Sequence, residues 1–243
     1  KIGRSIATAV AAVPVLGSVV PRVQSRLRAD RSRRRLRRLQ RSQAADQVPA
    51  AIEQLIGMSA TPAEYAAWVV AREVPLERRS PRRRGAALRA EGPPLVSVLI
   101  PVYRVKTRFL VRTLESLAAQ TFTNWEACLA CAAPDDAANR RVLEEWAARD
   151  PRFRVSFLAT NGGISANSNA ALEMARGEFI ALLDHDDELT PFALERMAEA
   201  IAAEPEADFL YSDKDSIDED STLRQHALFK PQWSPEILWS VNY

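Results

Sequence analysis

Phe179-Ile180-Ala181-Leu182-Leu183-Asp184-His185-Asp186-Asp187 is the stretch from which the fold can be read. Five apolar residues, the length of a short strand, stop abruptly at three carboxylates within four positions. Charges at the end of a buried run are costly unless they meet a cation or a solvated ligand. The run therefore reads as a strand whose C-terminal end opens onto a polar edge. Its Asp184-x-Asp186 is a candidate site for a metal ion and a diphosphate.

Strand and helix signals alternate on both sides of this run. Leu95 to Ile100 is a short, β-branched apolar run closed by Pro101, and Trp125 to Cys131 and Arg154 to Leu158 are further strands. Between them, Thr107 is expected to cap a helix with Leu110, Leu114 and Leu117 on one face, and Asp135 or Asp136 one carrying Val142, Leu143 and Trp146. Asn161-Gly162-Gly163 turns the chain, Ser165 is expected to cap a helix through Met174 ended by Gly177, and Thr190-Pro191 begins a helix with Leu194, Met197, Ala198 and Ile201 inward. Phe209 to Ser212 is expected as a last strand. Repeated units of this length predict a mostly parallel sheet with helices on both faces, in which ligands gather at the strand C-terminal ends. Tyr103, Asp184 and Asp186 fall on that edge.

The 243 residues, 47% hydrophobic and 26% charged, suit one ordinary domain with an appendage. A net charge of +2 conceals an asymmetry, because arginine concentrates in the first ninety or so residues and acids follow Glu173. Three segments are expected: a basic, mainly helical extension at 1–48, a short helical lead-in and linker at 49–92, and a ligand-binding domain at 93–243. Ser5 to Val20, broken by Pro14 and Gly17, is too short for a membrane span and is followed, not preceded, by its basic block, unlike a signal peptide. Arg22 to Arg41 holds ten arginines against Asp30 alone. A solvated helix or arm, a peripheral contact with anionic lipid, and nucleic acid are the three readings; the last is weakest, because no aromatic residue interleaves the arginines, and no nucleic-acid partner is expected. Thr61-Pro62-Ala63-Glu64 has capping-box spacing ahead of Tyr65, Trp68, Val69 and Arg72.

Cys128 and Cys131 sit three apart on a strand and so point to opposite faces, which reads as two buried thiols and not a metal or redox pair. The expected location is the reducing cytoplasm, with peripheral attachment at the inner membrane through the arginines. The chain starts without Met and stops just after Ile237-Leu238-Trp239, as expected of a piece of a longer, truncated product.

Mg²⁺ or Mn²⁺ takes hard oxygen ligands and is often held by one or two carboxylates while substrate phosphates complete the shell. Asp184 and Asp186 suit that role, whereas a solvated acidic turn ahead of the next helix is the plainer alternative. His185 reads as a spacer or as a support to its neighbours.

Pro94 to Tyr103, Ser116-Leu117-Ala118-Ala119-Gln120-Thr121, Asn161 to Ser165, Leu182 to Leu189 and Tyr211-Ser212-Asp213, in that order, resemble the inverting family two glycosyltransferases of GT-A fold. The Tyr65 to Trp68 helix and basic linker resemble the lead-in of the bacterial branch that makes O-antigen, capsule or other surface polysaccharide. The resemblance implies an enzyme moving a sugar from a nucleotide-diphosphate donor to a saccharide or lipid-linked saccharide acceptor. It gives nucleotide-sugar contacts to Pro101, Tyr103, Gly163 and Asn169, the metal and diphosphate to Asp184 and Asp186, and a donor or acceptor side to Asp187 and Asp213. It also puts the general base beyond Tyr243.

Two positions depart from the family pattern. Cys131-Ala132-Ala133 stands where an Asp reads the nucleobase, leaving Asp135 or Asp136 for that task, and Ser168-Asn169 stands where many members have Arg-Asn. A phosphatase of the haloacid-dehalogenase type would need its Asp on the first strand, and a dinucleotide oxidoreductase would need a G-x-G-x-x-G after Leu95 to Ile100. A non-catalytic nucleotide-sugar-binding remnant or scaffold is the remaining alternative.

Overall fold

The computed structural model describes residues 4–7, 65–71, 73 and 94–230. The Arg22–Arg41 block, the Thr61-Pro62 cap and the 78–92 linker lie outside the described residues.

Four strands form a parallel sheet: β2 (Val96–Val102), β3 (Trp125–Cys131), β4 (Phe153–Phe157) and β5 (Phe179–Leu182), in the order β4-β3-β2-β5. The α/β architecture expected from the sequence is thus present. Between and after the strands run α2 (Thr107–Ala118), α3 (Ala137–Arg149), α4 (Ile164–Leu172) and α5 (Ala193–Ala203). The larger core joins Val98, Ile100, Leu129 and Cys131 to Leu110, Leu114, Leu117, Leu143, Trp146 and Leu194. A smaller one on the other face joins Leu99, Cys128, Ala130 and Ile180 to Ala171 of α4. The two cysteines therefore lie on opposite faces, and burial pushes the Cys128 thiol up to about 12.

Several local expectations shift. Lys106, not Thr107, is the N-cap of α2, and it makes no side-chain capping bond. Asp136 caps α3 by accepting the N–H of Asn139. Gly163, not Ser165, precedes α4, with φ of 86°, a conformation open to glycine at little cost. Helix α4 ends at Leu172, short of Met174. Gly177 serves a different purpose: its N–H donates to Ser97 Oγ at 2.8 Å, and a Cβ there would stand 2.6 Å from the Ser97 nitrogen. Close backbone approach, not helix termination, requires that glycine. The helix expected from Thr190 begins as α5 at Ala193, after a turn closed by Ala193 N–H donating to Thr190 O.

Phe209 to Ser212 forms no strand. Pairing instead begins at β6 (Lys214–Ile217), which joins β7 (Arg224–Leu228) and β1 (Arg4–Ala7) in a separate antiparallel sheet of order β1-β6-β7. Arg4–Ala7 is thus a strand within an extension expected to be mainly helical, because β6 offers it an edge with ladder partners.

The helix at 65–71, α1, docks on this second sheet. Tyr65 donates to Asp215 Oδ2 at 2.6 Å, Arg224 Nε donates to the same oxygen at 2.6 Å, and the Arg224 guanidinium grips both oxygens of Glu73 at 2.5 and 2.9 Å. Trp68 stacks on Tyr65 and meets the edge of Phe229. Among the described residues no helix is long and apolar enough to cross a membrane.

At the N-terminal edge of the parallel sheet, Glu126 is buried in β3. Its carboxylate accepts from Ser97 Oγ at 2.7 Å, from the Arg176 amide at 2.6 Å and from the Arg176 guanidinium at 2.7 Å. Burial alone would raise its pKa. The Ser97 hydroxyl and the Arg176 amide and guanidinium outweigh that effect and hold it below the usual glutamate range.

Candidate functional site

The opposite, C-terminal edge collects the carboxylates. Leu183 N–H donating to Leu99 O at 3.1 Å continues the β5 to β2 ladder, and Asp187 N–H donating to Asp184 O at 3.2 Å then closes a turn. Asp184 is exposed, and His185, Asp186 and Asp187 are half-buried. The ring Nδ1 of His185 lies 2.8 Å from the main-chain oxygen of Pro101, so the acidic turn is moored to the end of β2. Tyr103, two residues further on, is exposed at that same end. The structure thus brings Pro101, Tyr103, Asp184, Asp186 and Asp187 to one edge.

Helix α2 holds the turn from the other side, through polar residues spaced along it. Thr113 Oγ1 donates to His185 O at 3.0 Å, and Ser116 Oγ accepts the N–H of Leu189 at 3.1 Å. Just past the helix end, Gln120 donates to Thr190 O at 2.8 Å and accepts from Leu194 N–H at 3.0 Å. Thr121 adds its N–H to Pro191 O and its hydroxyl to Glu195. The Ser116 to Thr121 block is therefore scaffolding for residues 189–195.

At the end of β3, Cys131, Ala132 and Ala133 are all buried and offer no polar side chain to a base. Of the two aspartates that follow, Asp136 spends Oδ1 on Asn139 N–H at 3.1 Å and Oδ2 on Asn139 Nδ2 at 2.8 Å. Asp135 is exposed and accepts from Arg104 at 2.7 Å, while Arg104 Nε reaches Tyr103 Oη at 3.2 Å. Arg104 holds a left-handed φ of 45°, and its side chain links the ends of β2 and β3. The Arg104 guanidinium holds the Asp135 carboxyl below the usual range.

Gly163 and Asn169 sit at and along α4, both exposed. The residue that organises this turn is one the sequence reading passed over. Buried Asn167 donates to Asn161 Oδ1 at 2.9 Å and accepts from Gly162 N–H at 3.3 Å. The recurrent Asn at 161 and 167, on either side of two glycines, was the available signal. Asp213 lies just before β6, its Oδ1 accepting the Lys230 N–H at 2.7 Å. A hairpin tip also approaches the edge. Glu219 is met by Lys106 at 3.3 Å and by Arg108, Arg112 donates to Ser221 Oγ at 2.5 Å, and Ser221 donates to Glu188 at 2.7 Å.

Among the described residues no three or more His, Cys, Asp or Glu side chains assemble into a metal cage. The carboxylates at Asp184 and Asp186 fit a hard divalent ion of the kind that keeps few protein ligands and completes its shell from phosphate and water.

The sequence matches the model of Glycosyl transferase family 2 over residues 97–239, more than half of the chain. It is 47% identical over 155 residues to an uncharacterized protein of Sinorhizobium fredii, covering 64% of this chain and 17% of that one. It is 34% identical over 203 residues to an O-antigen biosynthesis protein of Myxococcus xanthus, covering 79% and 15%, and 34% identical over 149 residues to a chondroitin synthase of Escherichia coli, covering 61% and 21%. The chain thus spans about a fifth or less of the length of these relatives. With the family's match running from within β2 through the acidic turn and on past β7, the chain belongs to glycosyl transferase family 2.

Proposed function

We propose that the protein transfers a sugar from a nucleotide-diphosphate donor to a saccharide or lipid-linked saccharide acceptor, with inversion and with Mg²⁺ or Mn²⁺, in the assembly of a bacterial surface polysaccharide. The observation that carries this reading is the mooring of the acidic turn to the end of β2 by the 2.8 Å contact between His185 and Pro101. Membership of the family and the relatives named for O-antigen biosynthesis and chondroitin synthesis support it.

On this reading Pro101 and Tyr103 contact the nucleotide, and Asp135, held by Arg104, reads the base in place of the buried Cys131-Ala132-Ala133 end. Gly163 and Asn169 face the donor from the α4 side. Asp184 and Asp186 bind the metal and orient the donor diphosphate, with Asp187 and Asp213 on the donor or acceptor side. A bound divalent ion supplies charge neutralisation for the departing diphosphate. The acceptor hydroxyl attacks the anomeric carbon from the face opposite the leaving group, and deprotonation of that hydroxyl is assigned to none of the described residues. Peripheral attachment through Arg22–Arg41 to anionic lipid is part of the proposal, supported by the clustering of arginine.

Titration calorimetry with a panel of nucleotide sugars in the presence of Mn²⁺ tests the core of it. Wild type should bind at least one donor, and Asp186→Ala should abolish the metal-dependent part of that binding. Unchanged affinity in the variant sinks the assignment.

A further inference from the structure

We propose that His185 is a positioning residue: by donating from Nδ1 to the Pro101 carbonyl, its imidazole sets Asp184 and Asp186 in register with the nucleotide-contacting end of β2. The inference rests on the function proposed above.

The chemistry of the partner fixes the role of the ring. A main-chain carbonyl only accepts, so the nitrogen 2.8 Å from Pro101 O must carry the proton. In the neutral ring this leaves the lone pair on Nε2. The bond also falls where backbone support runs out. The β5 to β2 ladder ends with Leu183 N–H donating to Leu99 O, and the two aspartates that follow are carried by a turn. His185 restores a link to β2 across 84 residues of sequence, and its own carbonyl takes a second bond, from Thr113 of α2. The residue between the two aspartates is thus tied from its side chain to the sheet and from its main chain to a helix.

Few side chains could do this. An acid would add a fourth carboxylate to a turn that already holds three within four residues. Lysine could donate, but through a long stem with many rotamers. Histidine offers a short, planar donor with two rotatable bonds, and asparagine matches it because its amide nitrogen occupies the place of Nδ1. Glutamine instead reaches toward the place of Nε2. Groups that fix metal-binding side chains in this way commonly change metal affinity by about 10- to 100-fold when removed.

The test compares His185→Asn, His185→Gln and His185→Ala in the full 243-residue chain. Mn²⁺ binding is followed by the electron paramagnetic resonance of the free ion, with UDP and with GDP present, and Asp186→Ala serves as a control. Urea denaturation reports folding. Because the chain has two histidines, the imidazole ¹⁵N spectrum is assigned by comparing wild type with any one variant.

The expected results are a protonated Nδ1 in wild type, Mn²⁺ affinity about tenfold or more weaker in the Ala and Gln variants, and near-wild-type affinity in Asn. The urea midpoints of Asn and Gln should agree. Retention of affinity in Gln with its loss in Asn would mean direct ligation through Nε2, and overturns the proposal. So does loss in all three variants, or a wild-type ring protonated at Nε2 alone. Wild-type affinity in all three, with loss in Asp186→Ala, overturns the positioning role and leaves the proposed function standing. If wild type binds no Mn²⁺ with either nucleotide, the proposed function fails and this inference falls with it.

Discussion

Gln120, just past the end of α2, accepts the N–H of Leu194 at 3.0 Å and donates to the carbonyl of Thr190 at 2.8 Å. One buried amide thereby closes the loop that leaves the acidic turn. Gln120→Ala leaves a buried donor and a buried acceptor without their partner, at roughly 1–3 kcal/mol for each group. The expected outcome is a loss of about 3 kcal/mol in urea denaturation, with increased hydrogen exchange at Leu194 and Ala193. Stability within about 0.5 kcal/mol of wild type would show that the loop does not depend on this residue.

Glu126 anchors the other edge of the sheet. Its carboxylate is buried and shared among Ser97, Arg154 and the more exposed Arg176, so Glu126→Ala leaves the buried Ser97 hydroxyl without its acceptor and should cost about 2 kcal/mol in denaturant unfolding. The pH dependence has a definite sign. A carboxylate held below its unfolded pKa adds stability that is fully present above the ordinary glutamate value and is lost as pH falls through the lower, folded value. Wild type should therefore lose more stability than Glu126→Gln between about pH 5 and pH 3. Parallel curves for the two proteins would contradict this account.

Arg224 bridges Asp215 and Glu73 in the cluster that ties α1 to β6 and β7. Arg224→Met keeps the length of the chain but leaves a buried aspartate beside Tyr65, so a loss of about 3 kcal/mol is expected. Proteolysis should then cut near residues 65–73 well before the parallel sheet. Equal resistance in variant and wild type would argue that α1 is held mainly by Trp68 against Phe229.

Asp135 is exposed, so its replacement should leave folding unchanged while altering recognition. On the proposed function, Asp135→Ala reduces discrimination between nucleotide bases in donor binding, and Asp136→Ala instead lowers stability by about 1 kcal/mol through loss of the α3 cap. Competition binding with UDP, GDP, CDP and ADP separates the two. Base selectivity that survives Asp135→Ala places recognition elsewhere.

Hydrophobic patterning alone specified the layers. Apolar runs of strand length separated by helices with Leu110, Leu114 and Leu117 on one side leave little alternative to a covered parallel sheet, and all three leucines are fully buried in it. It also determined that the carboxylates end a strand, because the pattern changes within one residue at Asp184. The tertiary structure decided what holds them there. The bonds from His185 to Pro101, from Thr113 to His185 and from Ser116 to Leu189 join residues 72 to 84 apart, so no local pattern of hydrophobicity or turn residues encodes them. That Asp136 and not Asp135 caps α3 likewise emerged only from the folded chain. Periodicity records which face of an element is buried, and that is a local property. Which polar groups meet across the edge of the sheet depends on how neighbouring elements pack, and only the folded chain fixes that.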